Sequence, residues 1–227
     1  MNPALNQSLE IKVDNVELQG ELILPENAFG LVIFSHGSGS SRFSPRNNFV
    51  SQYLQRRGLG TFLFDLLTKE EDKIYAQRFD IDLLSKRLVD ATQFLIRLPQ
   101  LKMLPLGFFG TSTGAASALV AASILQNKVS TVVSRGGRPD LAMNQLYLIE
   151  CPTLLIVGEL DRIVLNLNKE ALEKIAGVKE IKIITGATHL FDEPGSLEQV
   201  AQVSGDWFLK YLQNKKSVQV GDRPISM

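Results

Sequence analysis

The stretch GFFGTSTGAAS, residues 107–117, runs from a hydrophobic segment through a turn of small residues into an alanine-rich segment. This order is typical of a buried strand followed directly by a helix. The turn contains GTSTG, which matches the pattern G-x-S-x-G with Ser112 between Gly110 and Gly114. Two interpretations are open: a turn that only connects two buried elements, or a strained turn that presents Ser112 as a nucleophile.

Short apolar runs alternate with helical patterns along the rest of the chain. The runs are rich in Val, Ile and Phe, which is typical of strands covered on both faces. The segments between them place apolar residues at the spacings of an amphipathic helix. This alternation predicts an α/β fold with a mostly parallel, doubly wound sheet. The predicted strands are 31–37, 60–66, 105–110, 129–134, 153–159 and 179–185, and the predicted helices are 48–57, 81–98, 114–126, 167–175 and 197–212.

The two ends of the chain differ from this pattern. The N-terminal stretch LEIKVDNVELQGELILPE alternates in polarity around Asp14 and Asn15, which predicts an antiparallel hairpin at the sheet edge. Residues 214–227, NKKSVQVGDRPISM, are expected to form a polar tail after a core at about 31–212. Because no linker or repeat divides residues 1–227, we expect a single domain.

Composition and charge exclude several classes of partner. The 227 residues include 24 Lys and Arg and 24 Asp and Glu, so no net charge attracts nucleic acid or an anionic membrane. The single cysteine, Cys151, cannot form an internal disulfide, and the N-terminus lacks the basic start and apolar run of a signal peptide. We therefore expect a cytoplasmic protein without a nucleic-acid or membrane partner.

The sequence also gives no indication of a cofactor or a metal. The patterns G-x-G-x-x-G and G-x-x-x-x-G-K-[ST], which indicate dinucleotide and nucleotide binding, are absent from the sequence. Two histidines and one cysteine are too few soft ligands for a zinc site. The expected partner is a small molecule.

A serine nucleophile needs a base, which is usually histidine, and a carboxylate that orients the base. His189 follows the predicted strand 179–185, where a base from a neighbouring strand end can reach Ser112. Asp161 follows the predicted strand 153–159, although it can equally cap the next helix or pair with Arg162. The order Ser112, Asp161, His189, each just after its own strand, favours the catalytic interpretation over a structural histidine and aspartate.

Acyl transfer also needs backbone donors for the oxyanion of the tetrahedral intermediate. The N–H of Thr113, directly after Ser112, is one expected donor, and the N–H of Ser38 in the HGSG loop is the other. We assign the rest of that loop, His36, Gly37 and Gly39, to supporting it rather than to proton transfer.

On these residues the chain resembles the α/β-hydrolase superfamily, and within it the small, nearly capless dienelactone hydrolase-like branch. The resemblance covers about 31–212 and rests on HGSG, GTSTG, VGELD and GATH in the family's order. It departs in one respect, because dienelactone hydrolase uses a cysteine nucleophile and this chain has Ser112. The resemblance implies hydrolysis of a small ester, thioester or lactone through an acyl-enzyme. The alternative is a ligand-binding protein that keeps the pocket and turns over weakly.

Four arginines lie in segments expected near the strand ends. The favoured interpretation is that they form ion pairs with acidic residues of the same loops. The alternative is that converging guanidinium groups bind a carboxylate or phosphate of the substrate. The candidates are Arg42, Arg78, Arg135 and Arg138.

Overall fold

Eight strands form one sheet within residues 4–213, the part of the chain that the computed structural model describes. The predicted parallel strands are confirmed to within two residues at their ends. In chain order the strands are β1 (Leu5–Val13), β2 (Val16–Leu24), β3 (Leu31–Ser35), β4 (Gly60–Phe64), β5 (Leu106–Thr111), β6 (Val129–Arg135), β7 (Thr153–Gly158) and β8 (Lys179–Ile184).

The spatial order of the strands is β1-β2-β4-β3-β5-β6-β7-β8. From β4 to β8 all neighbours are parallel, whereas β2 pairs antiparallel with both β1 and β4. The N-terminal hairpin is therefore confirmed, with β1 at the sheet edge and Val13 opposite Val16 across the turn. Asp14 has a positive φ of 51°, a conformation that aspartate tolerates in tight turns.

Five α-helices cover both faces of the sheet within the described residues. Helices α1 and α5 pack on one face over a core that includes Phe34 and Phe109. Helices α2, α3 and α4 cover the other face over a core that includes Phe62 and Phe108. The helices are α1 (Pro45–Arg56), α2 (Ile81–Leu95), α3 (Thr113–Leu125), α4 (Arg162–Lys174) and α5 (Ser196–Gln213).

Two helices begin more than one residue earlier than the sequence predicts, and α2 ends at Leu95 rather than at 98. Helix α1 begins at Pro45 rather than at 48, because the Ser44 hydroxyl caps the helix by accepting a hydrogen bond from the Asn47 N–H. Helix α4 begins at Arg162 rather than at 167, and of its first five residues only Val164 is fully buried, so the apolar period is weak there. The expected polar tail, 214–227, lies outside the described residues.

Parallel strands bring their carboxyl ends to one edge of the sheet, and the connections at that edge form the site. The interval between β6 and β7, where α/β-hydrolases usually carry a cap, contains only the single-turn helices Pro139–Ala142 and Leu146–Leu148. The expected minimal cap is therefore present, and the carboxyl edge is open.

Candidate active site

Ser112 occupies a strained turn between β5 and α3. Its φ of 51° and ψ of −121° are rare for a residue with a Cβ atom. The Ser112 N–H donates to the Arg135 carbonyl at 3.2 Å, and the Ser112 carbonyl accepts from the Arg138 N–H at 3.1 Å. The turn is thus fixed by the end of β6 and by the loop that follows it, and it is not a loose connection.

The glycines of GTSTG allow the strand, the helix and the neighbouring loop to come into close contact. A Cβ atom on Gly114 would lie 2.2 Å from the Ser35 carbonyl oxygen, and one on Gly110 would lie 2.5 Å from the Ala115 Cα. Any other residue would collide with backbone at both positions. This agrees with the close approach that the pattern G-x-S-x-G predicts.

His189 and Asp161 form a direct hydrogen bond. The distance from His189 Nδ1 to Asp161 Oδ2 is 2.6 Å, and the Asp161 side chain is only 15% exposed. Asp161 precedes α4, yet its side chain makes no capping hydrogen bond. With Nδ1–H donating to the carboxylate, Nε2 is the ring atom left to accept a proton.

The strand that precedes His189 is not adjacent to the strand that precedes Ser112. Strands β6 and β7 separate β8 from β5. The segment after β8 instead runs back across the strand ends, where glycines leave room for it. A Cβ on Gly158 would lie 2.4 Å from the Ala187 carbonyl oxygen, and one on Gly136 would lie 3.3 Å from the His189 carbonyl oxygen. The connection, and not the strand order, brings His189 towards Ser112.

Side-chain contacts hold the segment that carries His189. Glu193 accepts hydrogen bonds from the N–H of Thr188 at 3.1 Å and from its hydroxyl at 2.5 Å. These bonds to the charged form lower the pKa of Glu193, the Thr188 hydroxyl contributing most. Arg46 of α1 donates two hydrogen bonds of 2.9 Å to Asp192. His189 is therefore anchored on both sides in sequence.

The two expected oxyanion donors lie next to each other. The Ser38 N–H donates to the Thr113 Oγ1 at 2.9 Å, so Thr113 holds the HGSG loop against the start of α3. A Cβ on Gly37 would lie 3.0 Å from the Ser112 Cβ, which places this loop directly beside Ser112. Gly39 has a positive φ of 67°, which lets the loop turn away.

His36 is buried and hydrogen-bonded on both ring nitrogens. Its Nε2 accepts from the Leu66 N–H at 3.1 Å, and its Nδ1 donates to the Gly37 carbonyl at 3.0 Å. Burial lowers the pKa of His36 below its ordinary value, since the surroundings disfavour the charged ring. A neutral His36 thus ties the HGSG loop to the segment after β4, as expected of a supporting residue.

The four candidate arginines divide into two groups. Three form ion pairs in their own surroundings and do not line the cavity beside Ser112, as the favoured interpretation predicts. Arg135 is different, because it lines that cavity and is only 8% exposed. The three pairs are Arg42 with Asp65, Arg78 with Asp72 at 3.1 Å, and Arg138 with Asp140 at 2.9 and 2.7 Å.

The cavity beside Ser112 has a volume of about 740 Å³ and is open to solvent. Its walls are the segments 37–41, 43–46 and 189–190, together with Thr111, Ser112, Asp72 and Arg135. Ser112 and His189 both face it, but no hydrogen bond joins them among the described residues. Such contacts often tighten only when substrate binds. Arg46, which also lines the cavity, was not predicted as a site residue, because it lies before the predicted helix 48–57 and belongs to no motif.

One solved structure matches nearly the whole fold at high identity. A dienelactone hydrolase from Anabaena variabilis is 49% identical, with a TM-score of 0.89 over 92% of this chain and 98% of that one. The chain belongs to the dienelactone hydrolase family. Among other solved structures, Est1E from Butyrivibrio proteoclasticus shares the α/β-hydrolase fold, with a TM-score of 0.78 at 14% identity over 90% of this chain and 98% of that one.

Other comparisons add a second kind of relative. Two curated proteins from Mycobacterium tuberculosis strains, named provisionally as phosphoribosyl transferases, are 49% identical over 92% of this chain. This dienelactone hydrolase family member spans 47% of their length, about half. No family model matches the chain.

Within residues 4–213 no helix is long and apolar enough to cross a bilayer. In the same residues, no three His, Cys, Asp or Glu side chains lie close enough together to form a metal site.

Proposed function

We propose that the chain is a serine hydrolase that cleaves small esters, thioesters or lactones through an acyl-enzyme on Ser112. The observation that carries this proposal is the strained Ser112 facing one cavity together with a histidine already bonded to a carboxylate. That is the arrangement that activates a serine for acyl transfer.

Each residue has a definite role in this reaction. His189 Nε2 takes the Ser112 proton as the hydroxyl attacks the carbonyl, and it returns the proton to the leaving group. Asp161 keeps the proton on Nδ1 and stabilises the imidazolium. A water molecule, activated by the same histidine, then releases the acyl group.

The oxyanion requires a small local change. The Ser38 N–H is engaged by the Thr113 hydroxyl, so that hydroxyl must rotate away for both backbone N–H groups to reach the oxyanion. Because Thr113 is buried, we expect its rotation to accompany a small shift of the HGSG loop. We propose this exchange as part of substrate binding.

The open edge of the sheet favours short substrates. A minimal cap buries little of a ligand, so binding energy comes from a few polar groups rather than from an enclosing apolar wall. We propose small, activated acyl substrates and no cofactor. The single cysteine supports a reducing, cytoplasmic setting.

The phosphoribosyl transferase name belongs to proteins about twice as long as this chain. A protein of that length has room for another domain, and the residues that face the cavity here are those of acyl transfer. We therefore do not extend that activity to this chain.

Labelling with a fluorophosphonate probe tests the proposal. The wild-type protein should be labelled and should hydrolyse para-nitrophenyl acetate, and Ser112→Ala should lose both. Ser123→Ala is the matched control, because Ser123 is a buried serine of the same helix whose hydroxyl bonds the Val120 carbonyl. Labelling that survives in Ser112→Ala contradicts the assigned nucleophile, and a folded wild-type protein without labelling or turnover supports a ligand-binding protein instead.

A further inference from the structure

Charges around the cavity are balanced with one exception. Four residues with titratable side chains line it, and three of them have an oppositely charged partner. Among the described residues, the fourth, Arg135, has no carboxylate oxygen within ion-pair distance. The three pairs are Arg46 with Asp192 at 2.9 Å, Asp72 with Arg78 at 3.1 Å, and His189 with Asp161 at 2.6 Å.

Arg135 is buried with little hydrogen bonding. Its Nη1 donates to the Leu190 carbonyl at 3.4 Å, and its Nε has no partner among the described residues. The guanidinium lies 5.4 Å from the centre of the Phe191 ring. Burial, together with the nearby charge of Arg46, lowers the pKa of Arg135 to about 10. The side chain is therefore still a cation at neutral pH.

The Asp192 carboxylate acts on Arg135 only from a distance and is itself paired with Arg46. A buried cation without a direct ion-pair partner is costly, by several kcal/mol before any compensation. Charges of this kind are retained where a ligand supplies the missing partner, so unpaired buried groups in a pocket indicate function. We propose that Arg135 determines substrate specificity by binding one anionic oxygen group, a carboxylate or a phosphate-type group, on the substrate. This inference rests on the hydrolase function proposed above and narrows its substrate class.

The position of Arg135 fits a small substrate. It is the last residue of β6 and is paired in register with Thr111, the residue before the nucleophile. Neighbouring strands are about 4.8 Å apart, so the Arg135 backbone lies one strand spacing from Thr111, next to Ser112. A guanidinium fork at this place can bind an anion while Ser112 attacks a carbonyl of the same molecule.

Three esters with one leaving group test this inference. Para-nitrophenyl butyrate is neutral, the hemisuccinate adds a carboxylate, and the phosphonopropionate adds a phosphonate on an acyl chain of similar length. The wild-type protein should have a higher kcat/KM for one or both charged esters than for the butyrate. The ratio between the two charged esters distinguishes the carboxylate from the phosphate-type group.

Arg135→Met should remove this preference. We expect kcat/KM for the preferred charged ester to fall by about 10-fold to 100-fold, as for loss of a hydrogen-bonded ion pair, and kcat/KM for the butyrate to change by less than about threefold. Arg135→Lys should restore part of the loss. Arg138→Met, which removes a paired arginine outside the cavity, should leave kcat/KM unchanged for both the charged ester and the butyrate.

Equal losses on neutral and charged esters in Arg135→Met would overturn the inference, as would a wild-type protein that prefers the butyrate. Should Arg135→Met not fold, inhibition of the wild-type protein decides. Succinate or phosphate should compete with the butyrate ester and neutral succinamide should not, so equal inhibition by charged and neutral compounds also overturns it. The hydrolase proposal fails separately, through fluorophosphonate labelling that does not depend on Ser112.

Discussion

Two segments carry the proposed acyl-transfer residues, and they are held by different kinds of contact. The nucleophile turn, residues 110–114, is fixed by backbone hydrogen bonds to β6 and by glycines pressed against carbonyl oxygens. The histidine loop, residues 185–193, has a backbone contact at its start, where the Leu160 N–H donates to the Ala187 carbonyl at 2.9 Å. The rest of the loop is held by side chains, through Arg46, Asp161 and Glu193. Backbone contacts form with the sheet itself, whereas side-chain contacts can change one at a time.

This difference has a consequence for how the site can vary. Changes in the nucleophile turn should damage folding and activity together, because the turn is part of the buried strand-to-helix junction. Changes in the histidine loop should alter activity with little effect on stability, because the loop is largely exposed. Substitutions in and around both segments test this difference.

After Ser112→Ala, the largest effect on activity is expected from Asp161→Asn. Asparagine keeps the size of the side chain but favours the wrong imidazole tautomer, which in serine proteases lowers kcat by about 10⁴-fold. The Tm should stay close to that of the wild-type protein. Asp140→Asn, at the same sheet edge but paired with Arg138 outside the cavity, serves as the control for steady-state kinetics. More than a tenth of the wild-type kcat in Asp161→Asn would contradict the assigned acid.

A glycine-to-alanine substitution in each segment compares how much the two segments contribute to stability. Gly114→Ala places a Cβ 2.2 and 2.3 Å from the carbonyl oxygens of Ser35 and His36. These carbonyl groups lie at the end of β3, so they can move away only if the sheet is distorted. We expect a loss of about 3 kcal/mol in the free energy of unfolding, measured by urea denaturation. Gly186→Ala, in the histidine loop, meets nothing within 4 Å and is strained only by its φ of 71°, so it should cost about 1 kcal/mol. Equal losses of unfolding free energy in the two variants would contradict the difference in stability expected between the two segments.

The sequence was sufficient to predict what depends on local pattern. Continuous apolar runs predicted β3 to β7, because these strands are buried on both faces. The edge strand β8 is mostly exposed, and its run KEIKII is only partly apolar. The pattern G-x-S-x-G predicted the turn at Ser112, since glycine is the only residue without the colliding Cβ. The partnership of Asp161 with His189 followed from chain order after the strands.

What could not be predicted depends on contacts between distant segments. The path of His189 across two strand ends is set by the shape of a connection and not by the strand that precedes it. Likewise, Arg42, Arg78, Arg135 and Arg138 look alike in the sequence, yet only Arg135 lacks a carboxylate partner among the described residues. Pairing between loops decides this, and no local pattern encodes it.

A smaller effect on activity is expected from Glu193→Ala in the histidine loop. This change removes both hydrogen bonds that Thr188 donates, which frees the residue before His189 to move. Steady-state kinetics should show kcat lower by about fivefold to tenfold, with KM unchanged, as for loss of a charged hydrogen bond that positions a base. Glu193→Gln keeps an acceptor oxygen and should recover most of the activity. A large decrease in Tm in Glu193→Ala would mean that the histidine loop, like the nucleophile turn, contributes strongly to the stability of the fold.

The smallest effect at neutral pH concerns His36, which supports the loop beside the nucleophile turn. Because burial lowers its pKa in the folded state, the unfolded chain takes up a proton below the ordinary value of 6.5 while folded His36 does not. This contribution to stability is complete above pH 6.5 and is lost as the pH falls towards the folded-state pKa, with a slope approaching about 1.4 kcal/mol per pH unit. Urea denaturation of the wild-type protein and His36→Gln at pH 7.5 and 5.5 measures it. The difference in unfolding free energy between the two proteins should shrink at the lower pH. A difference that is independent of pH would mean that folded His36 takes up its proton as readily as the unfolded chain does. Protonation would then not weaken the contact of the HGSG loop with Leu66, and this buried part of the site would not be pH-sensitive in the way its hydrogen bonds require.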